Sequence, residues 1–301
     1  MSNVAIVGGS GFIGTSTAKQ LLANGHKVII IDIQPPSVAE AKYIYADVRN
    51  YESILCALGK YDIDSVFMLA AIHTHEENIK IPRCAANTNI IGLMNVLDAM
   101  DCLGISHIIF SSSVWVYSTC DVHSVDEDTS LLIQNSKHIY TTTKISSESL
   151  ILNYHQMKGL DYTILRYGIA YGINSHPSAV FYKFLSDAIK TKSLTIVGDG
   201  SNSRRFLYVD DHGMGNCMAL ERSARNQIIN LDGCEDISVL DVAQRVQELL
   251  SIDLNIVHIN ERGGDYTGKN VCCAKAEKLL GWKPKTDFIT GTRKIYENFV
   301  G

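Results

Sequence analysis

Val4-Ala-Ile-Val-Gly-Gly-Ser-Gly-Phe-Ile-Gly14 is the stretch on which the reading of this 301-residue chain turns. Its four apolar residues make a short buried strand. Gly8, Gly11 and Gly14 follow on the spacing G-x-x-G-x-x-G, and a helical run continues from Phe12 to Ala23. A dinucleotide pyrophosphate requires these parts in this order. A tight turn lets the backbone approach the phosphates, and a helix N-terminus aims its free N–H groups at them. The third glycine lets that helix pack closely on the strand. Glycine also serves ordinary turns and caps, so the strand before and the helix after carry the meaning.

Strand and helix then alternate, as a parallel sheet requires. Lys27 to Ile31 is a second β-type run ending in Asp32, 18 residues past Gly14. An acid at this distance bonds the ribose hydroxyls of NAD and repels a 2′-phosphate; no Arg follows immediately, so NAD is expected rather than NADP. Further strands are expected at 42–46, 65–70, 107–110 and 161–167, with helices at 52–58, 79–103 and 140–157 and a polar loop over 118–138. The fold class is α/β, a Rossmann-type parallel sheet with helices on both faces. Residues 1–167 are expected to form the NAD-binding domain. Residues 168–301 read as a smaller mixed α/β substrate lobe, with 206–227 packing back onto the first domain and Gly198 to Arg205 as a loop.

A net charge of −5 provides no basic footprint for nucleic acid or an anionic membrane. No stretch reaches membrane-spanning length and none reads as a signal peptide, so a cytoplasmic location is expected. The eight cysteines include no C-x-x-C pair and are expected to be reduced and mostly buried. His73-Thr-His75 lacks a carboxylate or thiolate at ligand spacing, so no metal is expected.

Chemistry concentrates at Tyr140-Thr-Thr-Thr-Lys144. Residues four apart share a helical face, which brings an ammonium near a phenol. A positive neighbour is expected to lower the phenol's pKa from roughly 10 towards neutrality, so that the tyrosine accepts a proton from a substrate alcohol. Ser113, at a strand's C-terminal end, can hydrogen-bond the same oxygen. Tyr154 and Lys158 repeat the spacing, but roughly 20 Å further along the same helix. Only Tyr140 stands at the helix start, near the strand ends where α/β sites lie.

The layout resembles the extended short-chain dehydrogenases/reductases, in the NAD-dependent epimerase/dehydratase branch that acts on sugar nucleotides. The motifs that carry it span nearly the whole chain: Gly8 to Gly14, Asp32, Asp47-Val48, Leu69-Ala-Ala71, Asn89 with Gly92, Phe110 to Ser113, Tyr140 with Lys144 and Glu148, Leu165-Arg-Tyr167, Tyr171-Gly172, Gly198-Asp-Gly200, Arg204, Tyr208-Val-Asp-Asp211, Arg262-Gly-Gly-Asp265 and Leu280 to Pro284. The resemblance implies a catalytic set of Ser113, Tyr140 and Lys144. It implies NAD contacts from Gly8, Gly11, Phe12, Ile13, Gly14, Asp32, Asp47, Val48, Leu69, Ala70, Ala71, His73, Asn89, Tyr140 and Lys144. A nucleotide-diphosphate sugar would meet Ser113, Trp115, Tyr167, Ile169, Arg204 and Arg262, the two arginines clamping the diphosphate with their bidentate forks. A homodimer built on the two long helices is also implied.

The departures bear on the reaction. Family 4,6-dehydratases carry Asp-Glu directly after the hydroxyl residue; here those positions are Val114 and Trp115, which move no proton. Ile169 stands where the family often has Asn, and Arg205 replaces the acid that usually follows the clamp arginine. Arg205 either adds to diphosphate binding or faces solvent. The expected activity is epimerisation of a sugar nucleotide, most simply at C4, by transient oxidation and hydride return. The alternatives are a ketoreductase or dehydrogenase with net redox change, and a non-catalytic dinucleotide-bound sensor or structural subunit.

Overall fold

The computed structural model describes residues 1–260 and 268–300. The first strand, β1 (Asn3–Val7), leads through the glycine turn into α1 (Phe12–Ala23), β2 (Lys27–Asp32), β3 (Lys42–Tyr45), α2 (Tyr51–Leu58) and β4 (Ser65–Met68). Two short helices follow, α3 (His75–Lys80) and α4 (Pro82–Ala86), and a π-helical turn over Asn87–Ile91 opens into α5 (Gly92–Leu103). The helix expected over 79–103 is therefore broken. Pro82 has no N–H to continue α3 and instead starts α4. The π turn widens the ladder where Asn89 turns inward.

Next come β5 (His107–Ser113), the two-residue β6 (Ser124–Val125), the 20-residue α6 (Ile139–Lys158), β7 (Asp161–Tyr167) and β8 (Ile169–Tyr171). Gly159 ends α6 in the left-handed conformation. The later elements are α7 (Val180–Thr191), β9 (Ser193–Val197), β10 (Ser203–Tyr208), α8 (Val209–Met218), β11 (Gln227–Leu231), β12 (Asp236–Ser238), α9 (Val239–Leu250), β13 (Asn255–Ile259), β14 (Asn270–Val271), α10 (Ala274–Leu280) and α11 (Phe288–Val300). Where a loop was expected to run to Arg205, β10 already begins at Ser203 and pairs with both β8 and β12.

Seven parallel strands form the main sheet in the order β11-β7-β5-β4-β1-β2-β3. The order reverses between β1 and β4. In such a sheet ligands bind beyond the strands' C-terminal ends at that switch point, which is where the glycine turn and Leu69–Ala71 meet. Both faces are covered. Leu93, Val96, Leu97 and Met100 of α5 pack on one side of the sheet, and Ala18 and Leu21 of α1 with Trp282 on the other. The helix α8 lies against α1, where Asn216 Nδ2 donates to Thr17 Oγ1 at 2.7 Å. A third cluster, including Phe181, Leu185, Val246 and Phe288, closes the layer built on β8 and β10. All eight cysteines are free, but Cys56, Cys102, Cys234 and Cys272 are exposed. The expectation of mostly buried thiols fails because these residues sit on the outer faces of α2 and α5 and at loop edges.

His107, fully buried at the start of β5, bonds Ser65 Oγ through Nδ1 (3.1 Å) and Thr163 Oγ1 through Nε2 (3.0 Å). Burial pushes its pKa down from 6.5 to about 4. The folded state therefore holds it neutral. Its contribution is complete above pH 6.5 and is lost as pH falls towards 4. Between pH 7 and pH 5 this one group should remove about 2 kcal/mol of stability. Urea unfolding of wild type and His107→Asn across that range checks this. The variant's curve should be flatter by that amount, and parallel curves would refute the assignment.

Candidate active site

The glycine turn is built by backbone geometry. Gly8 has φ +85°, and a Cβ placed on it would stand 2.4 Å from the Ala70 nitrogen. A Cβ on Gly14 would stand 2.5 Å from the Gly8 carbonyl oxygen, so α1 starts directly against the turn. Gly11 caps α1 with no side-chain bond, and the first ladder bond is Thr15 N to Gly11 O at 2.9 Å. The N–H groups of Phe12, Ile13 and Gly14 thus head the helix without a capping side chain. A cleft of about 1070 Å³ opens in front of them. That is room for a dinucleotide beside a second ligand.

Of the residues expected to meet NAD, Gly8, Gly11, Phe12, Ile13, Gly14, Asp32, Asp47, Val48, Leu69, Ala70, Ala71, His73, Tyr140 and Lys144 line this cleft. At the end of β2 the Asp32 carboxylate accepts from Ser10 N at 3.0 Å and Gln34 N at 2.9 Å, which fixes it at the rim of the turn. The Asp47 carboxylate is gripped by Arg49 Nε at 2.9 and 3.0 Å, and these bonds hold it below the usual carboxylate range. Arg49 itself lines the cleft, two positions past Asp47. These residues fit NAD: the helix head carries no capping side chain, and the fixed Asp32 carboxylate at the end of β2 lines the same cleft.

Asn89 does not line the cleft. It is buried, with Oδ1 accepting from Ile72 N at 2.8 Å and Nδ2 donating to Ile72 O at 3.0 Å and Thr143 Oγ1 at 3.1 Å. Its amide ties the loop after β4 to α6, one step removed from any ligand.

Ser113 ends β5 and Tyr140 stands in the first turn of α6, and both side chains line the same cleft. Ser113 Oγ also accepts from Trp115 N at 3.2 Å, capping a short 3-10 turn over Val114–Thr119. Lys144, on the same face of α6, is buried and donates to Ser111 O at 2.5 Å. Its Nζ lies 5.7 Å from the centroid of the Tyr140 ring and 4.7 Å from that of Phe110. Ser113, Tyr140 and Lys144 all face the glycine turn's cleft.

The electrostatics differ from the sequence expectation. Burial pushes the Tyr140 phenol up to about 12, opposed by the hydrogen bond from Ser113. Burial also pushes the Lys144 ammonium down to about 7, opposed by Glu148. The ammonium gives one of its three N–H groups to the Ser111 carbonyl, and the two shifts run against the expected acidification of the phenol.

Trp115, Tyr167 and Ile169, the residues read as substrate contacts, also line the cleft. Trp115 stands edge-on to His138, with ring centroids 5.4 Å apart. Tyr167 turns its hydroxyl away, donating to Asn216 Oδ1 at 2.5 Å, and so offers its ring. Arg204 lies on β10 opposite Ile237 and is not among the cleft-lining residues. Arg205 neither joins the cleft nor faces solvent freely: Nε bonds Asp236 at 3.0 Å and Nη1 donates to Val271 O at 3.2 Å. Arg262 lies outside the described residues.

Sequence reasoning missed Lys137, His138 and the segment from Asn174 to Ala179, which line the cleft beside Tyr140 and Ile169. Their signal was weak, because irregular loops carry no periodicity. The competing Tyr154 and Lys158 pair belongs to the α5–α6 contact, Tyr154 bonding Asp98 at 2.5 Å and Lys158 bonding Asp101 at 2.9 Å. Among the described residues, no group of three His, Cys, Asp or Glu side chains is placed to hold a metal, and no helix is long and apolar enough to cross a membrane.

A dinucleotide turn at the switch point, joined in one cleft to a Ser–Tyr–Lys set on β5 and α6, defines a nucleotide-dependent enzyme of the short-chain dehydrogenase/reductase type. The chain belongs to the NAD-dependent epimerase/dehydratase family, whose model matches residues 4–232. NAD is accordingly its cofactor. A UDP-glucose 4-epimerase of Lactobacillus helveticus is 27% identical over 306 residues, covering 94% of this chain and 92% of that protein. The crystal structure of UDP-glucose 4-epimerase from Thermotoga maritima with UDP-glucose matches at a TM-score of 0.90 and 27% identity, covering 99% of this chain and 98% of that one. The UDP-glucuronic acid 4-epimerase of Bacillus cereus, solved with UDP-glucuronic acid and NAD, matches at a TM-score of 0.89 and 26% identity, covering 98% of each chain.

Proposed function

We propose that this protein is an NAD-dependent epimerase of a UDP-sugar, inverting the configuration at C4. The observation that carries this reading is that Ser113, Tyr140 and Lys144 line the same cleft as the glycine turn. NAD, when bound, supplies the acceptor and later the donor of one hydride. Tyr140 takes the proton of the sugar hydroxyl as its carbon is oxidised, and Ser113 holds the same oxygen by hydrogen bond. The Lys144 ammonium, together with the positive charge of the oxidised cofactor, offsets the burial that keeps the phenol protonated. The keto sugar then presents its other face, and Tyr140 gives its proton back to the oxygen. No redox equivalent is consumed.

Elimination of water needs a further acid and base beside the sugar. The carboxylates among the described cleft-lining residues are Asp32 and Asp47, both near the cofactor end beyond β2 and β3. Val114 and Trp115 fill the two positions after Ser113. This supports epimerisation over dehydration. Trp115 and the Tyr167 ring offer apolar surface to a pyranose, and Lys137, His138 and His176 stand in the same cleft. The reading extends to a homodimer across the outer faces of the π turn, α5 and α6, where Ile91, Leu103 and Met157 are exposed.

The test is to denature the purified protein, identify the released cofactor, and then follow UDP-glucose and UDP-glucuronic acid by NMR with intact enzyme and no added NAD. The expected result is NAD on release and a C4 epimer at equilibrium from one of the two sugars. Turnover only on stoichiometric consumption of added NAD(H) would assign a ketoreductase or dehydrogenase instead. Binding of UDP-sugars with no turnover would assign a sensor.

A further inference from the structure

Behind the reacting residues lies a buried charged cluster that the mechanism above does not use. Glu148 follows Lys144 by one turn of α6, and its side chain is 6% exposed. Arg166 of β7 grips it with two bonds, Nε to Oε1 at 3.1 Å and Nη2 to Oε2 at 2.8 Å. The Ser112 hydroxyl of β5 donates to Oε1 as well. Arg166 Nη1 donates onward to the Tyr117 hydroxyl at 2.9 Å, which donates to Asn230 Oδ1 at 2.8 Å on β11. One carboxylate thus joins α6, β5 and β7. Ser112 lies between Ser111, whose carbonyl holds Lys144, and Ser113, which lines the cleft with Tyr140.

Resting on the assignment of Tyr140 and Lys144 to the reaction, we propose that Glu148 is a positioning residue, the counter-charge that Arg166 and Ser112 hold one helical turn behind Lys144. A buried ion pair is weak evidence of stability in itself, because desolvation offsets much of the attraction. Two well-packed apolar residues would bolt α6 to the sheet as well. What they would not supply is a fixed negative charge beside a buried ammonium. Lys144 is faced by Tyr140 and Glu148 from α6, by the Ser111 carbonyl and Phe110 ring from β5, and by His73 from the loop after β4. Glu148 is the negative group in that set that raises the Lys144 pKa against its burial. Removing the charge also leaves Arg166 uncompensated, and both changes act on Lys144 in the same direction.

The test reads Lys144 directly. In NAD-free protein, the lysine side-chain carbon resonances are titrated by NMR, with Lys144 assigned by the signal lost in Lys144→Arg. Glu148→Gln keeps the shape and loses the charge, and should move the Lys144 midpoint down by about one pH unit, a tenfold loss of its protonated fraction. Glu148→Asp keeps the charge and should restore the midpoint to within a few tenths of a unit. In turnover, Glu148→Gln should lower kcat about tenfold at pH 7.5 and leave KM within threefold. An unmoved midpoint in a folded Glu148→Gln protein overturns the proposal, as does an equal shift in Glu148→Asp. If Glu148→Gln does not fold, Ser112→Ala, which loosens the carboxylate by one bond, should move the midpoint the same way by a smaller amount; no movement there overturns it too. The titration needs no substrate, so its outcome is separable from a failure of the assignment of Tyr140 to the reaction, which would show as full activity in Tyr140→Phe.

Discussion

Tyr140→Phe is expected to lower kcat about a thousandfold with NAD still bound. Positioned proton transfer contributes roughly 10² to 10⁴ in rate, and Phe removes the phenolic oxygen from the cleft. The ring is half-buried in the first turn of α6 and keeps its place without the hydroxyl, so the protein should fold and retain cofactor normally. The measurement is turnover of the preferred UDP-sugar, alongside the cofactor released per protomer on denaturation. Activity within a few-fold of wild type would remove Tyr140 from the chemistry. Loss of the cofactor along with activity would show that the variant damages the cleft rather than the proton transfer. The pKa pattern sharpens the expectation. Tyr140 at about 12 and Lys144 at about 7 describe a protein that holds its base protonated until further positive charge arrives.

The second large effect is expected at Gly8→Ala. Its φ of +85° disfavours any side chain, and the added Cβ would stand 2.4 Å from Ala70 N and 2.6 Å from Ala70 Cα, backbone atoms that cannot swing aside. Strain of this kind costs about 3 kcal/mol when the surroundings hold firm. If the turn yields instead, Gly8 parts from the Leu69–Ala71 segment and the phosphate cradle opens. Gly104 is the internal control. It too has a positive φ, +70°, but nothing lies within 4 Å of its Cβ. Gly104→Ala should therefore cost about 1 kcal/mol and leave the cofactor bound. Urea unfolding and the cofactor content of the purified proteins distinguish the two variants. Equal behaviour would show that close approach at Gly8 does not matter.

The glycine spacing, the acid at the end of the second strand and the Tyr–Lys pair were legible because each depends on a short run of residues with one local geometry. Gly8 and Gly14 had to be glycine, and the structure shows the backbone atoms a Cβ would strike. The alternation of apolar strand and helical stretch led to a parallel sheet for the same reason. The choice between Tyr140 and Tyr154 was also legible, since only one stands at a helix start. The break in the helix over 79–103 was half-legible: Pro82 announced it, but the π turn that rotates Asn89 inward did not.

Other features depend on partners far apart in the chain. Asn89 matched a family position, yet its amide is spent on Ile72 and Thr143, which only the packed loop brings within reach. Arg205 was open between diphosphate binding and solvent until β12 placed Asp236 beside it. The expected acidification of Tyr140 by Lys144 rested on spacing alone. Spacing brings two groups to one face of a helix but says nothing of how deeply the sheet buries them, and here burial raises the phenol and lowers the ammonium. By itself, then, the sequence determined the fold class and the dinucleotide turn and pointed to Ser113, Tyr140 and Lys144, because local backbone geometry demands particular residue types there. Only the tertiary structure decided how deeply Tyr140 and Lys144 are buried, that Glu148 pairs with Arg166, and which side chains line the cleft beside them. Those depend on desolvation and on contacts between segments tens of residues apart, which no local pattern encodes.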